Sequence, residues 1–109
     1  MRFYFAAFIA IASSTALADD TATCRKKLKA SADLGVLYAL DWQKSKPPHV
    51  VAGHRYYQMP FDAKEGFADN VSCFLTGKLP PQLCINFEIK HWQTGKATEK
   101  YQNCRLKPI

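Results

Sequence analysis

The chain has 109 residues, with 15 Lys+Arg against 9 Asp+Glu and a formal net charge of +6. That length admits one small domain and excludes a doubly wound nucleotide-binding domain, a barrel enzyme or a two-domain enzyme. No stretch approaches 18 uninterrupted apolar residues, so a membrane-spanning helix is not expected.

Met1-Arg2 opens the chain with a positive charge, an apolar run extends from Phe3 to Ala12, and small residues lead to Ala16-Leu17-Ala18. This is the pattern of a secretory signal peptide over 1–18. Cleavage after Ala18 leaves 19–109 as a single small domain, secreted and extracellular. Its net charge is +5, because Arg2 is the one charged residue removed. All four cysteines remain: Cys24, Cys73, Cys84 and Cys104. An oxidising compartment and an even count favour two disulfides, for which three pairings exist. The nested pairing is preferred, with 24–104 tying the ends and 73–84 stapling a hairpin-sized loop. No Cys-x-x-Cys occurs and the three histidines do not cluster with the cysteines. Neither a metal nor another cofactor is expected.

In chain order, Thr21 or Thr23 caps a predicted helix from about Cys24 to Leu40, with Leu28, Ala32, Gly35 or Val36, and Ala39 or Leu40 on one side. Gly35 permits a close approach inside it, or ends it. Gln43 to Pro48 is a loop by composition. Strand preference begins at His49 and runs through Val50, Val51, Tyr56 and Tyr57, interrupted at Gly53 and stopped near Pro60. Asp62 to Asn70 reads as a loop and Val71 to Thr76 as a strand. After the Gly77–Pro81 turn, Leu83, Ile85, Phe87 and Ile89 alternate with polar residues, the clearest strand signal in the chain. A last strand is expected over Tyr101–Leu106. The fold class is α+β, one N-terminal helix packed on a small antiparallel sheet.

A helix with an antiparallel sheet is a frame on which nucleases are built. The acid–base candidates are His49, His54, Arg55, Gln58, Glu65, Glu88, His91 and Arg105. Each histidine taken singly is more ordinarily exposed or structural. Arg25-Lys26-Lys27 and Lys29 form the one dense basic run, a solvated helix face or a set of phosphate contacts. Adjacent Tyr56 and Tyr57 on a strand point to opposite faces, one into the core and one outward to anchor a partner. Trp42 and Trp92 each flank a loop. Asn70-Val71-Ser72 has the form of a glycosylation acceptor.

The second half of the chain resembles the small secreted guanyl-preferring ribonucleases of fungi, and in particular the inactive ribonuclease-like effectors of plant-pathogenic fungi. Pro48-His49 stands at the first histidine of that pattern and Tyr56-Tyr57-Gln58-Met59-Pro60-Phe61 at its aromatic segment. Cys84-Ile85-Asn86-Phe87 stands at its arginine strand and Gln93-Thr94-Gly95-Lys96 at its His-Thr-Gly turn. The resemblance implies a ribonuclease-like scaffold whose base, arginine and acid positions hold Gln58, Cys84 and Gln93. A neutral amide neither accepts a proton as carboxylate does nor donates one as imidazolium does. The implied function is therefore non-catalytic: a secreted effector, possessing no enzyme site, that binds a host protein through Tyr56 or Tyr57, Trp42 or Trp92. Two alternatives stand beside it. One is RNA binding or an active secreted ribonuclease, with Arg25, Lys26, Lys27 and Lys29 on phosphates; the other is an unrelated basic secreted domain.

Overall fold

Helix α1 spans Asp20–Asp33 in the computed structural model, which describes residues 20–43 and 46–109. The expected signal peptide lies outside the described residues. Gly35 decides where α1 stops. It sits at φ +83°, the Val36 N–H reaches back to the Ser31 carbonyl at 2.8 Å, and the Gly35 N–H bonds Ala32 O at 3.2 Å. This is a Schellman closure, which needs a left-handed residue and takes glycine at least cost. The predicted helix to Leu40 is thereby cut short, and the chain enters strand β1, Leu37–Asp41.

Strand β2, His49–Ala52, pairs antiparallel with β1. The expected strand does not continue past it. His54–Gln58 winds into a short 3-10 helix, and Phe61–Thr76 forms α2 where a loop and a strand were expected. The helix is favoured by its own spacing: Phe67, Ala68, Val71 and Ser72 fall at intervals of three and four and are all buried. Asp62 in its first turn suits the dipole. Gly77, at φ +81°, closes its end by donating to Cys73 O at 2.8 Å.

Three strands follow: β3 Phe87–His91, β4 Ala97–Gln102 and β5 Arg105–Pro108. The predicted strand from Leu83 starts only at Phe87, and the predicted last strand is two. Asn103 at φ +54° and Cys104 at φ +65° make the two-residue loop between β4 and β5. Left-handed backbone at both positions is what a tight hairpin with the right twist requires. The sheet order is β1-β2-β3-β4-β5, antiparallel throughout except that β2 and β3 run parallel, joined through α2. That one parallel pair corrects the all-antiparallel expectation, and the second helix is its cause.

Both helices lie on one face of the sheet. The core joins Leu28, Phe67, Ala68 and Val71 to Val50, Ala52, Phe87, Ile89, Tyr101 and Leu106, with Tyr56 from the 3-10 helix. Burial of each large side chain contributes about 1.5–3 kcal/mol. Among the described residues no helix is long and apolar enough to cross a membrane.

The disulfides are Cys24–Cys73 and Cys84–Cys104, not the nested pair. Because Cys73 lies on α2, it meets Cys24 in the helical layer, where both are buried. The other bond ties the segment that leads into β3 to the turn between β4 and β5, where Cys104 sits.

Candidate binding surface

The parallel pair gives the molecule one end where chain segments converge. Ala52 and His91 stand side by side at the carboxyl ends of β2 and β3. The segment leaving β2 must turn at once against the α1–β1 connection. Gly53 donates to Val36 O at 2.8 Å, and Arg55 donates to Gly35 O at 3.2 Å. A Cβ on Gly53 would land on the Gly35 carbonyl oxygen, so this approach requires glycine.

The segments so placed bring four rings together. His91 stacks on Trp92 with centroids 4.1 Å apart and planes 19° apart, and Tyr57 lies 4.8 Å from His91 and 6.1 Å from Trp92. His54 meets Trp92 edge-on at 5.6 Å. Polar bonds fix the two imidazoles. Gln58 Nε2 donates to His54 Nε2 at 3.2 Å, and the Gln93 N–H donates to His91 Nδ1 at 3.1 Å. The His91 contact places the proton of the neutral ring on Nε2.

A polar network, buried at Tyr56 and Glu99 and partly exposed at Tyr57, Lys64 and Thr98, supports these rings from beneath. A bulge in β4 leaves Thr98 unpaired, since Ile89 faces Glu99 while Lys90 faces Ala97. A bulged residue turns out of the normal alternation. Here Thr98 Oγ1 donates to Glu99 Oε1 at 3.0 Å and accepts from the Tyr57 hydroxyl at 2.8 Å. The fully buried Tyr56 donates to the same Glu99 oxygen at 3.0 Å, and Lys64 Nζ stands 3.5 Å from Glu99 Oε2. The ammonium of Lys64 also lies over the rings of Tyr56 and Tyr57, at 5.2 and 5.6 Å. Burial first, and then the Glu99 carboxylate, push the Tyr56 phenol far above its ordinary range. Tyr57 is raised as well, chiefly by burial, with the Thr98 bond opposing.

Each residue singled out from the sequence now has a place. Tyr56 is core and Tyr57 half-buried, and on a 3-10 helix they do not point to opposite faces but touch, centroids 4.9 Å apart. Trp92 belongs to the ring cluster. Trp42 is exposed beyond β1, and His49 is exposed at the start of β2. Arg25, Lys26, Lys27 and Lys29 are exposed on α1, with the Arg25 guanidinium 5.9 Å above the Phe74 ring of α2. Asn70 is half-buried within α2 instead of exposed at a strand start. Ser72, third of its triplet, is buried and accepts the Ile85 N–H at 3.1 Å. Glu65 pairs with Arg105 at 3.5 Å and accepts the Leu106 N–H at 3.1 Å.

Of the positions carried by the resemblance, Gln58 and Gln93 lie at the ring end of the sheet. His49 faces Glu88 near the other end of β3, and Cys84 lies beyond it in a disulfide. The two ends of β3, Phe87 and His91, are four residue steps apart, about 13 Å. The sequence reading missed Lys64, Thr98 and Glu99. Lys64 was hidden in a presumed loop, and no sequence pattern announces the bulge that brings Thr98 onto Glu99. No family model, curated protein or solved structure matches the chain.

Proposed function

We propose that the mature chain is a secreted, non-catalytic binding domain that takes hold of a protein partner through the Tyr57–His91–Trp92–His54 surface. In the setting suggested by the resemblance, it is an effector on a ribonuclease-like scaffold and the partner is a host protein. The observation that carries this reading is the ring cluster itself. Side chains from two separate stretches of sequence form one partly exposed patch of packed rings, held from below by the Tyr56–Thr98–Glu99–Lys64 network. Trp and Tyr in well-supported positions are the residues that concentrate binding energy at protein interfaces. The RNA reading draws less support, because the basic run and the ring cluster sit on different elements. The ring beside that run is Phe74, half-buried beneath Arg25.

The test compares the mature protein with His54→Ala/Trp92→Ala and with Lys26→Ala/Lys27→Ala as crosslinking baits in a plant extract, after circular dichroism shows all three folded. One protein captured by wild type and the lysine variant, and lost with the ring variant, is the expected result. Capture of RNA that disappears with the lysine variant alone would replace this reading with the nucleic-acid one. Capture unaffected by the ring variant would reject the surface.

A further inference from the structure

The face of the sheet turned away from the helices carries a cleft of about 550 Å³, a volume in the range of small-molecule sites. Its position follows from strand pairing. His49, Glu88, Lys100 and Lys107 sit side by side across β2, β3, β4 and β5, so their side chains share the outer face. Lys46, Pro47 and Pro48, leading into β2, form the wall at one side.

The lining has a definite chemical bias. Lys46, Lys90 and Lys100 bring three ammonium groups, against the single carboxylate of Glu88. Among the described residues the ion pairs are Lys64–Glu99 and Arg105–Glu65, so none of those three ammoniums has a carboxylate within 4.0 Å. Asn86 holds its side-chain oxygen on the Asn103 N–H at 3.3 Å, which leaves its NH₂ as the end a ligand can use. The two prolines supply a rigid apolar wall. Uncompensated cations in a concave site favour an anionic group, and the proline wall favours a flat apolar body.

We infer that this cleft binds a small organic anion, a carboxylate or phosphate on a flat apolar body, with Lys90 and Lys100 holding the anionic group. This site is separate from the ring cluster and does not depend on the protein-partner reading. Glu88 stands beside Lys100 as an acceptor for a hydroxyl or amine of the ligand and as a charge that repels a second anionic group.

The experiment is an amide-resonance titration of the mature protein with phenyl phosphate and with benzoate, beside benzamide and inorganic phosphate as controls. Saturable shifts confined to residues 46–49, 86–90 and 100–102 are expected with at least one aromatic anion; which one responds tells phosphate from carboxylate. Each control should bind about tenfold more weakly or worse. Lys90→Gln/Lys100→Gln, exchanged on the outer sheet face, should weaken binding by about tenfold or more, whereas Glu88→Gln should keep or strengthen it. Equal binding of benzamide, equal binding of inorganic phosphate, shifts centred on α1, indifference to the lysine pair, or no saturation by about 10 mM would each overturn the assignment.

Discussion

Two buried tyrosines should set the alkaline limit of this fold. Tyr56 and Tyr101 are fully buried. Tyr56 donates to Glu99 at 3.0 Å and Tyr101 to Asp69 Oδ1 at 2.6 Å. Both phenols are raised well above their ordinary value of 10.0, burial being the largest cause in each and the carboxylate partner the next. The unfolded chain therefore gives up these protons first. Between pH 10 and the folded values the native state holds more protons, and stability falls as pH rises. Each group contributes about 1.4 kcal/mol per pH unit, so the pair removes about 2.7. A domain at the lower end of the usual range of about 5–15 kcal/mol exhausts its stability about two units above pH 10. Rapid pH jumps followed by absorbance at 295 nm and by circular dichroism test this. Two equivalents of phenolate should appear only in step with loss of structure, near pH 12. Tyr56→Phe should remove about half of the pair's contribution to the slope, while costing about 1–3 kcal/mol at neutral pH because Glu99 loses a donor. Full ionisation of both phenols near pH 10–11 with the dichroism unchanged would refute the reasoning.

Two further predictions concern glycines and bridges. Gly53→Ala should cost about 3 kcal/mol in urea unfolding, because its Cβ meets the Gly35 backbone. Gly66→Ala, exposed inside α2 with nothing within 4 Å of the new Cβ, should gain about 0.5–1 kcal/mol; the same sign for both would contradict the glycine assignments. Non-reducing peptide mapping should recover Cys24 with Cys73 and Cys84 with Cys104. Their separations of 49 and 20 residues set loop-closure values of about 4 and about 3 kcal/mol. Cys24→Ser/Cys73→Ser should be the costlier pair, since it also buries two hydroxyls, and the reverse order would count against this account.

What the sequence disclosed was local pattern. Alternation of Phe87 and Ile89 with polar neighbours identified the buried face of β3, and Gly35 was open to reading as a helix end. The costliest misreading was α2. Gly66 and the β-branched Val71 suggested loop and strand, although Phe67, Ala68, Val71 and Ser72 already carried a helical period. That error spread, because placing Cys73 on a strand made its pairing with Cys84 look natural and hid the parallel crossover. The ring cluster was legible as a list of aromatics but not as a surface. Its assembly depends on Ala52 pairing in parallel with His91, and its support on a one-residue bulge at Thr98, both products of tertiary register.

Chain order gives the bridge pattern a further meaning. The first cysteine bonds the second and the third bonds the fourth, so no closed loop encloses or interlaces with the other. A chain appearing N-terminus first brings out Cys24 and Cys73 before Cys84, and simple oxidation of each newly exposed pair gives the native set. Maturation of this domain therefore calls for an oxidant and not for a thiol–disulfide isomerase.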